Sequence, residues 1–151
     1  MARVIAASAD IDAPKERAWE IVRDTARYPE WSPFLVAVEG EIVVGRPVVL
    51  VVRMTPGRDP IRQTERVSSL LEGGPEQPSE LGWGMQMGAP LFLAANRVQR
   101  VTPLGRERCR YETSDTFRGL LVPLVMGLYG KNIQAGFDET ARALKARAER
   151  G

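Results

Sequence analysis

The chain has no histidine, and that absence excludes more chemistry than any other feature of its composition. Without imidazole there is no Ser–His–Asp triad, no Cys–His nucleophile pair and no histidine-ligated zinc. Cysteine is nearly missing too. The lone Cys109 cannot close a disulfide within the chain, so nothing demands an oxidising compartment. It is either a reactive thiol or a small strand side chain, and free cysteine usually behaves as the second. Charge of one sign is also lacking: 21 Lys and Arg against 19 Asp and Glu leave a formal net charge of +2, with both signs dispersed. A nucleic-acid partner needs Lys and Arg gathered on one face, and no such cluster occurs, so none is expected. Long hydrophobic runs are missing as well. The most apolar stretch, Leu120 to Tyr129, is interrupted by Pro123 and Gly127 and falls short of the ~20 residues of a membrane span. No basic segment leads into a hydrophobic run at the start, so no signal peptide is expected, and the cytoplasm is the default location, with a bacterial source compatible. No glycine-rich phosphate loop and no ligand cluster occur, so neither a cofactor nor a metal is expected.

What is present is an ordinary globular balance: 151 residues, 44% apolar and 26% charged, which suits a single soluble domain over residues 1–151. Arg3 to Asp10 reads as a strand. Asp12 reads as an N-cap and Pro14 fits a first helical turn, followed by Ala18, Trp19, Ile21 and Val22 at helical spacing as far as Arg23. A second short helical turn, Asp24 to Trp31, stops at Pro33. Strands are expected at Phe34 to Val38, Pro47 to Met54, Arg62 to Leu71, Glu80 to Met87, Leu91 to Val101 and Arg108 to Arg118. Turn signals between them, including Pro56-Gly57-Arg58-Asp59-Pro60 and Gly88-Ala89-Pro90, argue for consecutive antiparallel hairpins. A long helix then runs from about Leu120 to Glu149. Leu121, Leu124, Val125, Leu128, Ile133, Phe137, Ala141, Leu144 and Ala148 make one apolar stripe along it. At its rise per residue it is roughly 45 Å long, enough to cross a small sheet. Gly127, Gly130 and Gly136 within it either allow bending or permit close packing.

Strand alternation assigns faces. In the last strand Cys109, Tyr111, Thr113, Asp115 and Phe117 share the inner face, because the other face carries Arg108, Arg110, Glu112 and Arg118. The same logic turns Gln63, Glu65 and Val67 inward, then Leu81, Trp83, Met85 and Met87, and Val48, Leu50, Val52 and Met54. In the sixth strand Phe92, Asn96 and Val98 are assigned inward, with a bulge at Ala94-Ala95 able to shift the phase. The inferred interior has apolar walls of Met54, Trp83, Met85, Met87, Phe92 and Phe117. It also has a polar strip of Gln63, Glu65, Asn96, Tyr111, Thr113 and Asp115. Each unpartnered buried polar group costs roughly 1–3 kcal/mol, so a filled core rarely holds so many. A ligand pocket mixes walls and polar groups in this way, and a filled core with satisfied polar groups is the alternative.

Three segments now carry a resemblance. They are Ile11-Asp12-Ala13-Pro14 with Ala18-Trp19 and Tyr28-Pro29-Glu30-Trp31-Ser32-Pro33-Phe34; then Leu81-Gly82-Trp83; then Asp115-Thr116-Phe117-Arg118-Gly119-Leu120-Leu121 with the helix ending Ala143-Leu144-Lys145-Ala146-Arg147-Ala148-Glu149. Over nearly its whole length the chain resembles the SRPBCC or START-like helix-grip superfamily, in its polyketide cyclase/dehydrase-like group. The resemblance implies an α+β helix-grip fold, in which a curved seven-stranded antiparallel sheet wraps a long C-terminal helix over a deep pocket, with two short helices after strand 1. Bacterial relatives often carry histidines early in the sixth strand and in the seventh. Here the matching positions hold Asn96 and Tyr111 or Thr113, so a histidine mechanism does not carry over.

Three functions follow as expectations. The first is binding or carriage of a hydrophobic small molecule, a lipid, isoprenoid or polyketide-like compound. Met54, Gln63, Trp83, Met85, Met87, Phe92, Asn96, Thr113, Phe117, Leu121, Val125 and Tyr129 would form the site, with Leu35, Met87, Pro90 and Leu121 at its mouth. The second is a polyketide cyclase or dehydratase. Glu65 and Asp115 would move protons, and Tyr111 and Asn96 would donate to a carbonyl or enolate oxygen. Asp115 could instead pair with a nearby Arg or cap the final helix. The third, a regulatory interaction protein such as a homodimer, would want hydrophobic outer strand faces, and these read as charged.

Overall fold

In the computed structural model, which describes residues 2–88 and 91–150, seven strands form one antiparallel sheet. The strands are β1 (Ala2–Ile11), β2 (Leu35–Glu39), β3 (Pro47–Val52), β4 (Ile61–Leu71), β5 (Ser79–Met87), β6 (Leu93–Gly105) and β7 (Arg108–Arg118). Their order across the sheet is β1-β7-β6-β5-β4-β3-β2. Thus β1 and β2, neighbours in sequence, stand at opposite edges. Helix α1 (Lys15–Arg23) and a 3-10 helix (Thr25–Glu30) carry the chain between them. The long helix α2 spans Val122–Glu149 and closes the concave side. This is the helix-grip architecture expected from the sequence. The expected turn at Gly88-Ala89-Pro90 falls, for Ala89 and Pro90, outside the described residues.

The sheet curls because its ladder is interrupted. Register shifts occur between Leu35 and Ala37, Val67 and Ser69, and Pro103 and Gly105, and such bulges bend a strand and increase its twist. The inner faces of β3, β4, β5 and β7 are those assigned by alternation: Val48, Leu50, Val52, Val67, Leu81, Trp83, Tyr111 and Phe117 are all buried. Cys109 is buried among them, and its thiol is pushed up to about 11 by burial, with the Glu16 and Asp10 carboxylates adding to the rise. It is the strand side chain of the two readings.

Strand β6 is a correction. Its pairing with β5 runs without a break from Ser79–Val101 to Met87–Leu93, so no bulge lies at Ala94-Ala95. Unbroken alternation turns Leu93, Arg97, Gln99 and Val101 inward, where all are buried, and leaves Asn96 exposed on the outer face. Val98 borders an outer-face hollow with Arg100 and Glu112. Asp12 is a second correction. Helix α1 is preceded by Pro14 with no side-chain cap, while the Asp12 carboxylate pairs with Arg108 at 3.3 Å and its N–H donates to Glu149.

Helix α2 does not lie centrally. It packs chiefly against β1, β7 and α1. Gln134 Nε2 donates to the Ala6 carbonyl (2.9 Å), and Lys145 Nζ to that of Asp10 (2.8 Å). From its middle onward it supplies buried Ile133, Phe137, Ala141, Leu144 and Ala148. Leu124 and Leu128, placed on the core stripe by spacing, are instead 58% and 61% exposed, because Val122 and Val125 take the inward side of these turns and leave the two leucines on the outer side of the helix.

Gly136 shows the close-packing role. A Cβ there would stand 2.2 Å from the Phe34 ring, which packs edge-on to Phe137 at 5.7 Å. Gly127 faces open space. Gly136→Ala is therefore expected to destabilise the fold by about 1–2 kcal/mol, since overpacking outweighs the gain in helix propensity. Gly127→Ala should stabilise it by up to about 1 kcal/mol. Chemical denaturation of the two variants checks the opposite signs.

Candidate functional site

The off-centre helix leaves β3, β4 and β5 without a helix backbone above them. A cavity of about 340 Å³ lies there, between the concave sheet face and the first half of α2. That size falls within the range of about 300–1,000 Å³ typical of small-molecule sites. Phe34, Leu50, Met54, Trp83, Phe117 and Phe137 wall it, with Val125, Tyr129 and Ile133 from α2. Lining residues that are also exposed, Arg58, Asp59, Ile61, Met87 and Tyr129, mark the mouth. Arg58, Asp59, Ile61 and Met87 come from the end of the sheet where β3 and β5 finish and β4 starts, and Tyr129 from α2.

The polar groups inside are Gln63 and Glu65 on β4, Arg97 on β6 and Asp115 on β7. Arg97 is the centre of the group and is 6% exposed. Its Nε donates to Thr113 Oγ1 at 3.0 Å, and its guanidinium carbon lies 4.4 Å over the Phe137 ring, a cation–π contact. Its Nη2 atom is buried with no hydrogen-bond partner. Asp115 stands directly opposite Arg97 across the β6–β7 ladder, and its Oδ1 is likewise buried and unpartnered. No ion pair joins Arg97 to Asp115 or Glu65 among the described residues. Gln63 Nε2 donates to Glu65.

Burial pushes the Asp115 carboxyl up to about 7; the Arg97 guanidinium pulls it back and Glu65 adds to the rise. Burial also raises Glu65, with Gln63 and Arg97 opposing. Two carboxyls and one guanidinium thus share an apolar cavity, with unused hydrogen-bonding capacity on both sides. A partner that accepts from Arg97 and meets Asp115 would complete the set.

Among the sequence-predicted site residues, the structure brings Met54, Gln63, Glu65, Trp83, Met85 and Met87 to the cavity, together with Asp115, Phe117, Val125 and Tyr129. It does not bring five others there. Asn96 faces outward beside Thr116 and Arg118, by the β6 phase described above. Phe92 precedes β6 and is half exposed. Leu121 packs against the core just before α2 without bordering the cavity. Tyr111 lies on the inner face but deeper. Its hydroxyl donates to Gln99 Oε1, Gln99 Nε2 donates to the Tyr28 hydroxyl (3.2 Å), and Tyr28 donates to the Val22 carbonyl (2.7 Å). Burial raises both tyrosines, so Tyr111 is a satisfied neutral group rather than a proton donor to the cavity. Thr113 sits behind Arg97 and holds it. Leu35 borders the cavity but is buried, not at the mouth, and Pro90 lies outside the described residues. Arg97 itself was missed. The one signal for it is the uninterrupted Leu93, Ala95, Arg97, Gln99, Val101 alternation, in phase with two aliphatic residues.

A sheet gripping a long helix over a polar-lined apolar cavity defines the START-like helix-grip class. Within it, the chain belongs to the polyketide cyclase / dehydrase and lipid transport family, whose model matches residues 2–149. Among solved structures it is similar to the Zhui aromatase/cyclase from Streptomyces sp. R1128 (18% identity, 99% of this chain and 95% of that one, TM-score 0.76). It is similar to a START superfamily protein from Mycobacterium smegmatis (18%, 97% and 97%, 0.67) and to norcoclaurine synthase from Thalictrum flavum (17%, 98% and 94%, 0.66). At these identities the likeness is one of fold. No curated protein matches the chain in sequence. Among the described residues no helix is long and apolar enough to cross a membrane.

A buried acid raised in the folded state has a definite stability signature. The folded protein favours protonated Asp115, so the contribution is fully present below the unfolded value near 4 and is lost as pH rises towards about 7. The loss is on the order of 4 kcal/mol at most. Glu65 acts in the same direction. Thermal melts across this range should show Asp115→Asn gaining on the parent as pH rises. Parallel curves at every pH would place Asp115 in water.

Proposed function

We propose that this chain binds a hydrophobic small molecule carrying one polar, hydrogen-bond-accepting end. The observation that supports it is the pair of unpartnered buried atoms, Arg97 Nη2 and Asp115 Oδ1, inside an otherwise apolar cavity. A buried guanidinium with spare donors is costly unless something accepts from it. A carbonyl, enol, phenol or acid oxygen of a lipid, isoprenoid or polyketide-like guest does so, while its apolar body lies on Trp83, Met54 and Phe117. The family's scope, polyketide cyclase / dehydrase and lipid transport, spans such guests. The setting is the cytoplasm.

The probe that tests this is anilinonaphthalene sulfonate, an aromatic dye with one anionic end. Saturable binding to one site is expected, weakened roughly tenfold or more by Arg97→Met, because a hydrogen bond to a charged group is lost. Binding should tighten as pH falls through about 7, when Asp115 gains its proton and stops repelling the sulfonate. Asp115→Asn should abolish that dependence. Absence of saturable binding, or an unaffected Arg97→Met protein, would refute the reading.

The carboxyl pair favours a second reading, ring closure and dehydration of a polyketide-like chain. One carboxylate takes a proton from the carbon beside a carbonyl, and the new carbon–carbon bond forms at a second carbonyl. Arg97 meets the developing oxygen charge, and a protonated carboxyl returns the proton before water leaves. Arg97 thus takes the donor role first assigned to Asn96 and Tyr111. The aromatase/cyclase named among the similar structures supports this reading. Asp115→Asn and Glu65→Gln should slow cyclisation of a linear poly-β-ketone by about a hundredfold or more. Unchanged rates in both variants would remove the carboxyls from the chemistry.

A further inference from the structure

Beside the cavity mouth, which Met87 reaches, lies an exposed apolar rim that nothing in the described chain covers. Leu91, Leu120 and Leu128 are 71%, 69% and 61% exposed, Leu124 little less, and Met87 and Phe92 are about half exposed. Single surface leucines are ordinary, but these are joined. The Leu120 N–H donates to the Leu91 carbonyl and the Leu121 N–H to that of Phe92, each at 2.9 Å, which ties two rim segments together. Gly119 permits that join: its φ is +118°, and a Cβ there would lie 2.4 Å from the Phe92 oxygen. Leu120, Leu124 and Leu128 continue along one side of the start of α2 at spacings of four. Beside them Val125 and Tyr129 line the cavity, so rim and inner wall are continuous.

The charge around this rim is mainly positive. From Leu81 to Asn96 there is no charged residue, and from Thr116 to Phe137 there are only Arg118 and Lys131. Arg53 and Arg58 stand on the β3–β4 connection at the same end of the sheet. All four are exposed, and none is in an ion pair among the described residues. Asp59 is the acid beside them. At the far end of the sheet, by contrast, Asp10 pairs with Arg110 and Arg108, and Lys145 pairs with Glu149.

We propose that this end of the molecule docks on an anionic lipid bilayer, the leucine rim entering the headgroup–acyl boundary and the four cations resting at phosphate level. Apolar side chains flanked by Lys and Arg are the combination that binds such an interface. A second copy of the chain fits less well, because a two-fold contact would set the four cations against their equals. Docked this way, the cavity mouth opens onto the lipid, so an apolar guest need not cross water.

Cosedimentation with lipid vesicles tests the proposal. The protein should pellet with vesicles of equal parts phosphatidylcholine and phosphatidylglycerol, much less with phosphatidylcholine alone, and less as salt is raised. Arg118→Glu with Lys131→Glu should weaken binding roughly tenfold or more. Leu124→Ser with Leu128→Ser should do likewise, with unchanged thermal melts because all four side chains are exposed. Arg97→Met and Asp115→Asn should leave vesicle binding unaltered, which separates this claim from the proposed function. Protein left in the supernatant with anionic vesicles at low salt, or variants that bind as well as the parent, would overturn it. So would sedimentation velocity showing a dimer that the leucine substitutions dissociate.

Discussion

A guanidinium taken out of water must be met by something, and the interior of this protein is arranged around that requirement at Arg97. The side chain is held from three sides: Thr113 accepts from it, the Phe137 ring stacks beneath it, and Asp115 faces it across one pair of strands. Yet the cluster stops short of closing on itself. Glu65 and Asp115 are both driven towards their neutral forms by burial, and Asp115, pushed up to about 7, is not a full counter-charge at neutral pH. A guanidinium anchored by its Nε and free at one Nη is oriented without being consumed. That is the arrangement a binding site needs if the last partner is to come from outside.

The hollow beside Arg97 comes from how α2 is seated. Its second half is locked to β1 and α1 by apolar packing and by Gln134 and Lys145 bonding to β1 carbonyls. Phe34 reaches in from the far side and touches α2 where Gly136 makes room. Because the helix is pinned along one edge of the curled sheet, its first turns overhang the rest. The overhang keeps the space over β3 to β5 from being filled from above, with Val125 and Tyr129 facing it and Leu124 and Leu128 turned to the outer side of the helix.

Much of this was legible in the residues. The element order, and the inner faces of β4, β5 and β7, follow from alternating charges such as Arg62, Arg66, Arg110 and Glu112, which solvent claims. Strand β6 misled for the same physical reason. Placing Asn96 and Val98 inward turns Arg97 out, whereas the unbroken register with β5 puts Arg97 inside and leaves Arg100 outside, paired with Glu80. The buried arginine was hidden because a buried, unpaired charge violates the rule that makes strands readable. Tyr111 was assigned to the cavity because alternation gives the face but not the depth. The partner that takes its hydroxyl, Gln99, could be seen only once β6 was in phase. Leu124 and Leu128 satisfy helical periodicity, but the apolar stripe is wide in these turns, and periodicity does not say that Val122 and Val125 take its inward edge.

The central claim is that Arg97 and Asp115 are left open to a guest in a hollow interior. A crystal structure of the protein as purified, without added ligand or delipidation, examines it most directly. Density for a molecule or ordered water filling the space between β3–β5 and α2, with an acceptor within hydrogen-bond distance of Arg97 Nη2, is the expected result. An interior packed solid by Met54, Met85 and Phe34, with Arg97 joined bidentately to Asp115, would contradict it.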